Sequence, residues 1–109
     1  MANTTAINGR FIQITGLDAD WLYSSDLPVA LQSGLSVKSI QFNPSAASDV
    51  MVINEGGING ASIFHVKCTG DTDQRIKYFN PPTRMQPVID ISDCTLGTAA
   101  NAKVIIEIG

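Results

Sequence analysis

The chain has 109 residues, a net charge of −3 and an apolar fraction of 44%, which fits one domain with a hydrophobic core of its own. Charged residues make up only 16% of the sequence, below the usual share of about 25%. We therefore expect a surface of Ser, Thr, Asn and Gly that is suited to contact with partners. The seven basic residues are scattered along the chain, which argues against nucleic acid as a partner.

The sequence also argues against a membrane. Its longest apolar runs, at 50–53 and 104–106, are far shorter than the roughly 20 residues of a membrane span. The N-terminus lacks the basic start and the apolar stretch of a secretory signal. We expect a soluble protein that is made in the cytosol and has no membrane partner.

The first third of the chain holds one clear strand. Residues 1–9 (MANTTAING) are small and polar, so we predict a flexible N-terminal arm at 1–9 and a single domain at 10–109. Alternation over 10–15 predicts the first strand of that domain. Over 18–32, where Pro28 prevents a long helix, we predict a helical turn or loop with Trp21 inserted into the edge of the core.

The middle of the chain has the sharpest strand pattern. Leu35 and Val37 share one phase and Ile40 and Phe42 share the other, so the alternation slips near residues 38–39 and predicts a β-bulge. Residues 50–54 are apolar on both faces, which indicates a central strand covered on both sides. The Gly-rich segment after them predicts a hairpin loop.

The last third predicts three or four more strands. The strand at 75–79 is expected to end at Asn80-Pro81-Pro82, because proline cannot donate a ladder hydrogen bond. Pro87 predicts either an edge strand or a strand that begins at Val88, and 103–108 form the final strand. The whole pattern predicts an all-β fold, an antiparallel β-sandwich or jelly-roll-like barrel of about seven to eight strands. The predicted interior contains Phe42, Phe64, Val66, Ile76, Ile89, Val104 and Ile106.

No arrangement of reactive groups is evident. His65, the single histidine, has neither a nucleophile to serve nor a partner to orient it, and we interpret it as a surface or inter-sheet residue. Asp71 and Asp73 resemble the start of a calcium loop that lacks its Gly and Glu, so a solvated turn is favoured over a lone cation site. Cys68 and Cys94 are interpreted as buried thiols, with one disulfide as the alternative. We expect no enzymatic activity, no cofactor and no metal.

The segment VKSIQFNPSAASDVMVINEG (37–56), followed by FHVKC and DQRIKYF, resembles small β-sandwich virion proteins of tailed bacteriophages. The resemblance spans about residues 35–108 and lies in the succession of strand, Pro-Ser turn, strand, Gly-rich hairpin and strand. It implies a capsid decoration (cement) protein in the virion, or alternatively a minor neck or tail component. It also implies a homo-oligomer, with a trimer favoured, that binds the major capsid protein or other virion proteins.

The resemblance also suggests where contact is made. A flexible arm can add a strand to a neighbouring subunit, and many weak contacts on one shell gain strength by multivalency. Two other classes remain open: a host-surface or carbohydrate-binding module that uses Trp21, Tyr23 and Tyr78 as a stacking platform, and a hydrolytic accessory enzyme that depends on His65. The predicted partner-binding residues are Asn3, Thr4, Thr5, Ile7, Trp21 and Tyr23.

Overall fold

The computed structural model describes residues 4–17, 20–27, 31–32, 34–57, 60–70, 72–97 and 101–109. These residues form nine strands, a one-turn helix α1 (Tyr23–Asp26) and a 3₁₀ turn at Ile91–Asp93. The strands are β1 (Thr4–Asn8), β2 (Phe11–Thr15), β3 (Trp21–Leu22), β4 (Leu35–Asn43), β5 (Val50–Glu55), β6 (Ser62–Lys67), β7 (Arg75–Met85), β8 (Pro87–Ile89) and β9 (Lys103–Ile108).

The strands make two antiparallel sheets that pack as a sandwich. One sheet has five strands in the order β1-β2-β9-β4-β7, and the other has four in the order β3-β8-β5-β6. The eight strands β2 to β9 follow the order of a jelly roll, in which two four-stranded sheets face each other. Strand β1 adds a fifth strand at one edge. The predicted antiparallel sandwich is confirmed, and its strand order is that of the jelly-roll-like alternative.

The core lies between the two sheets and is made by alternate residues of each strand. Burying an Ile, Val, Phe or Met side chain contributes about 1.5–3 kcal/mol relative to leaving it in water. The five-stranded sheet supplies Ile12, Ile14, Ile40, Phe42, Val104 and Ile106, and the other sheet supplies Met51, Ile53, Phe64 and Ile89.

The predicted bulge in β4 is confirmed. The register of β4 with both of its neighbours, β7 and β9, shifts between Val37 and Ser39. The extra residue changes the phase of the alternation, so that Val37 before it and Ile40 after it both point into the core. The bulge leaves Lys38 exposed on the outer side of the sheet.

Strand β5 is covered on both sides, as its sequence predicts. Met51 and Ile53 face the core, while Val52 and Asn54 are buried on the opposite side. The cover on that side includes the segment after β8, where Thr95 forms a bridge with Val50 and the backbone N–H of Val52 donates to Cys94 Sγ at 3.5 Å.

The prediction of a flexible arm at 1–9 is wrong for Thr4–Asn8. These residues are strand β1, which pairs with β2 from Thr4↔Thr15 to Asn8↔Phe11. A two-residue loop joins the strands, and Gly9 at its first position has φ +62°, as a type II′ hairpin turn requires. The folded sheet therefore begins before residue 10, and residues 1–3 lie outside the described part of the chain.

Two proline predictions also need correction. Strand β7 continues through Asn80-Pro81-Pro82, where an end was expected. Because β7 is the outermost strand of its sheet, prolines interrupt few ladder hydrogen bonds there. Strand β8 lies between β3 and β5 rather than at an edge. It begins at Pro87, the position in a strand that tolerates proline best.

Ile76 was expected in the core and instead is 47% exposed. Its register with Gln41 places it on the outer face of the five-stranded sheet. The inward positions of β7 at this end carry Arg75, Lys77 and Phe79. Lys77 Nζ donates to the backbone carbonyl of Ile63 on the opposite sheet at 3.0 Å, so a charged side chain closes the side of the sandwich there.

Candidate interaction surface

The outer face of the five-stranded sheet carries most of the exposed apolar side chains. Of the four large hydrophobic residues that are exposed in the described chain, three lie on it: Phe11 (45%), Ile76 (47%) and Tyr78 (68%). Cross-strand pairing arranges the face in three rows, because opposite residues in adjacent strands share a side. The outer face consists of the row Asn8, Phe11, Glu107, Ser39 and Tyr78, the row Ala6, Gln13, Ile105, Gln41 and Ile76, and the row Thr4, Thr15, Lys103 and Asn43.

The carboxylate within the outer face, Glu107, is neutralised locally. Glu107 accepts a hydrogen bond from Ser39 Oγ at 3.2 Å, and its second carboxylate oxygen lies 3.9 Å from Arg10 Nε and 3.9 Å from Lys38 Nζ. Both cations are well exposed, so each pair contributes little to stability. Apart from Lys103, the rest of the outer face is aromatic, aliphatic, hydroxyl or amide. Exposed apolar patches with Tyr and Phe are typical of protein interaction sites.

A surface cavity of about 330 Å³ lies beside the outer face, lined by Lys38, Tyr78, Phe79, Asn80 and Pro82. It forms where β7 has more residues than β4 between two successive pairs: Tyr78 pairs with Ser39, and Thr83 pairs with Val37. Residues 79–82 of β7 therefore lie opposite Lys38 alone. The volume is at the lower end of the range of ligand pockets. One sugar ring or one side chain of a partner would fill it.

The structure separates the residues predicted to bind a partner. Trp21 is fully buried, and its indole N–H donates to Thr5 Oγ1 at 3.0 Å. Tyr23 is half-buried and packs against the core. Thr4 and Ile7 are exposed on β1, while Asn3 lies outside the described residues.

The alternative of a stacking platform made by Trp21, Tyr23 and Tyr78 is not formed. Trp21 lies on β3 of the four-stranded sheet and Tyr78 on β7 of the other, and a fully buried indole offers no face to a ligand. The sequence showed that Ile76 and Tyr78 share a face of their strand. It contained no signal that this face points outward, or that Phe11 shares it from three strands away.

Asp49 is a buried carboxylate that accepts four hydrogen bonds, and its role is structural. It is buried, and it accepts hydrogen bonds from Ser45 N and Oγ at 2.6 Å, from Ala46 N at 3.2 Å and from Gly97 N at 2.9 Å. Burial alone would raise the pKa of Asp49, but these donors outweigh burial and hold the pKa below its ordinary value. The carboxylate therefore stays ionised, and its hydrogen bonds join the turn between β4 and β5 to the backbone at Gly97.

Both thiols are free, so the disulfide alternative is not realised. Cys68 is buried, and Cys94 is half-buried with its Sγ 3.4 Å from the carbonyl of Asp90. Burial raises the pKa of each thiol, and nearby carboxylates (Asp73 for Cys68, Asp93 for Cys94) raise it further. A raised thiol pKa lowers the fraction of reactive thiolate, and these cysteines contribute to packing.

The charged and polar groups of the turn before β7 are hydrogen-bonded to one another. Asp73 binds Arg75 Nε at 2.9 Å and Nη2 at 2.8 Å, and it accepts from the Thr69 backbone N–H at 2.8 Å. The guanidinium of Arg75, followed by the Thr69 N–H, holds the pKa of Asp73 well below its ordinary value. Asp71, which would share the alternative cation site with Asp73, lies outside the described residues. His65 is exposed on β6, in agreement with its interpretation as a surface residue.

Within the described part of the chain, no three His, Cys, Asp or Glu side chains come together as metal ligands. The helices there are also too short to cross a membrane. Comparison with protein-family models, with curated proteins and with solved structures finds no match. The resemblance to phage virion proteins therefore stays a prediction, and function has to be argued from the outer face.

Proposed function

We propose that this protein is a structural component of a tailed-bacteriophage virion, a decoration (cement) protein that stabilises the head through many copies of one surface contact. In this proposal the outer face of the five-stranded sheet binds the major capsid protein. The protein works by contact and catalyses no reaction.

The outer face carries the proposal. It gathers Phe11, Ile76 and Tyr78 in the exposed state on a sheet whose one internal carboxylate is neutralised by two cations. A monomer gains nothing in stability from side chains that remain in water, whereas burial against a partner returns roughly 25 cal/mol per Å² of apolar area. Aromatic residues on a surface of low charge are the usual centre of a protein interface.

The architecture and the composition support the same class. Jelly rolls are a common architecture of viral capsid domains, though they also occur in lectins and cupins, so the fold by itself favours no single function. A small apolar patch binds weakly as one copy, and a regular shell turns many weak contacts into strong attachment. Decoration of a lattice is the setting in which a contact of this size suffices.

The first test is the presence of the chain in particles. Virions from the chain's natural source are purified on a density gradient and analysed by quantitative mass spectrometry. A copy number comparable with that of the major capsid protein supports decoration of the head. A few copies per particle would instead support the neck or tail alternative, and absence from particles would refute the virion proposal.

The second test locates the contact. Heads without the protein are mixed with purified chain, and bound protein is measured after sedimentation. We expect the double variant Ile76→Ser, Tyr78→Ser to lose most of its binding. The matched control is His65→Ser, Lys67→Ser, which changes two exposed residues of β6 on the other sheet and should bind normally. Equal binding by both variants would exclude the outer face as the contact.

A second candidate function follows from the cavity beside Tyr78. An exposed aromatic ring can stack on a sugar, and the Asn80 amide and Lys38 ammonium could bond its hydroxyl groups. This is the carbohydrate-binding class, with Tyr78 in place of the predicted Trp21 and Tyr23. A glycan array with the wild type and Tyr78→Ala tests it. Binding that Tyr78→Ala abolishes would support the class, and an array without binding would remove it.

A further inference from the structure

The four outermost strands of the two sheets differ in how they protect their free edges. Edges are normally blocked by proline, charge, shortness or cover, because unpaired backbone groups invite pairing with another chain. Strand β7 has Pro81, Pro82 and a register shift, and β3 has only two residues. On β6 the Ile63 carbonyl already accepts a hydrogen bond from Lys77 Nζ.

Strand β1 has none of these protections. Its sequence, TTAIN, contains no charge and no proline, and it pairs with β2 in unbroken register. It is also held in place, since Thr5 Oγ1 accepts from the buried Trp21 indole at 3.0 Å. Among the described strands, β1 is thus a fixed, regular and unprotected edge.

The hydrogen-bonding pattern between β1 and β2 shows which backbone groups of β1 point away from β2, toward the free edge. Arg10 O accepts from Ile108 N at 2.7 Å, so Arg10 faces β9 and the next residue, Phe11, faces β1. Alternation along an antiparallel ladder then directs the backbone groups of Asn8 and Ala6 toward β2. The N–H and C=O groups of Thr5 and Ile7 point to the free side.

We propose that the free edge of β1 binds the β1 edge of a second copy of this chain, antiparallel and about a two-fold axis that passes beside Ala6. Thr5 of one copy then lies opposite Ile7 of the other, and the reverse. Because both residues present outward N–H and C=O groups, the two pairs form four backbone hydrogen bonds. Two five-stranded sheets become one continuous sheet of ten strands.

Two side chains fit this register. At the axis, Ala6 faces Ala6 of the second copy in a non-hydrogen-bonded pair with a Cα separation of about 4.5 Å, where two methyl groups fit and two like charges would repel each other. Ile7 is 39% exposed in one copy, and the second strand covers it. A strand free of charge also pairs with its own copy without like-charge repulsion.

The first experiment measures mass by size-exclusion chromatography with light scattering. We expect two chains per particle for the wild type and one for Ala6→Lys, which brings two ammonium groups together at the axis. The control Gln13→Lys adds the same charge on the strand next to β1 and should remain a dimer. A wild type that stays monomeric over the concentration range, a trimer, or an Ala6→Lys variant that stays dimeric would overturn the proposal.

The second experiment fixes the register by cross-linking. Ala6→Cys places two thiols opposite each other at a Cα separation that a disulfide can span. Thr4→Cys is the matched control, because four residues along opposed strands place its two copies about 13–14 Å apart. Under mild oxidation, the first variant should give covalent dimers on a non-reducing gel and the second should not. Equal cross-linking of both, or of neither, would exclude this register.

The pairing is independent of the proposed function. A chain found in virions as a monomer would overturn the pairing alone, and a dimer absent from virions would overturn the proposed function alone. Because Ile76 and Tyr78 lie on β7, at the opposite edge of the sheet from β1, Ala6→Lys and the Ile76, Tyr78 double variant separate the two failures.

Discussion

The two outermost strands of the five-stranded sheet, β1 and β7, manage an exposed edge in opposite ways. Strand β7 runs for 11 residues, carries two consecutive prolines and loses register with its neighbour. Strand β1 has five residues, no charge and unbroken pairing. In the two proposals made above, β7 therefore offers side chains to a partner while its backbone is blocked, whereas β1 offers its backbone.

The two strands also differ in what they contribute to folding. Strand β1 is tied to the core by the Trp21–Thr5 hydrogen bond and covers the edge of β2. The outward side chains of β7, Ile76 and Tyr78, are both exposed. Changes at β1 should therefore reduce stability, and changes on the outer side of β7 should reduce binding alone.

Deletion of residues 1–9 should have the largest effect, a loss of about 3 kcal/mol or more in the free energy of unfolding. It removes β1, leaves the Trp21 indole N–H without its acceptor and exposes apolar surface of Ile12 and Ile14. Urea denaturation followed by Trp fluorescence measures it. A truncated protein as stable as the full chain would restore the interpretation of these residues as an arm.

Asp49→Asn tests a site that belongs to neither edge and should cost about 2–3 kcal/mol, because hydrogen bonds to a buried charge are lost. The pKa of Asp49 is lower in the folded state than the ordinary 3.8. Its contribution is therefore complete above the unfolded-state value and declines as the pH falls through the folded-state value. Unfolding curves at neutral and acid pH should show that the deficit of the variant shrinks on acidification. A deficit that does not change with pH would contradict this account.

Thr5→Val isolates the anchor of β1 at nearly constant shape. We expect a loss of about 1–2 kcal/mol, because the buried indole donor of Trp21 is left unpaired. Thr5→Ser keeps the hydroxyl and serves as the control, with a smaller loss. If Val and Ser variants unfold at the same urea concentration, the hydrogen bond contributes nothing measurable.

The double variant Ile76→Ser, Tyr78→Ser should have the smallest effect on folding, within about 0.5 kcal/mol of the wild type. Both side chains lie on the outer side of an edge strand, where Ile76 is 47% and Tyr78 68% exposed in the single chain. Thermal unfolding monitored by circular dichroism provides the measurement. A large drop in the midpoint would show that these side chains support the fold, and would remove the basis for a free outer face.

Strand positions were predictable from the sequence wherever local pattern and packing agreed. The phase slip at 38–39 indicated the bulge in β4, and four consecutive buried residues in β5 followed from its apolar run. The outer face was not predictable, because alternation shows which residues share a side without showing which side is covered. Ile76 illustrates this. The sequence showed that it shares a side with Tyr78, but its pairing with Gln41 decides that this side faces outward.

The sequence by itself determined the class of fold, the absence of a long helix pattern and most strand phases, since these depend on residues within a few positions of one another. Only the tertiary structure decided that β1 belongs to the sheet, that Trp21 is buried against Thr5 and that β7 continues through its prolines. Strand β1 pairs with β2 through a local two-residue turn, but its attachment to the core depends on Trp21. The burial of Trp21 and the course of β7 likewise depend on strands that are distant in the chain. Long-range pairing assigns these neighbours, and no local window of the chain contains them.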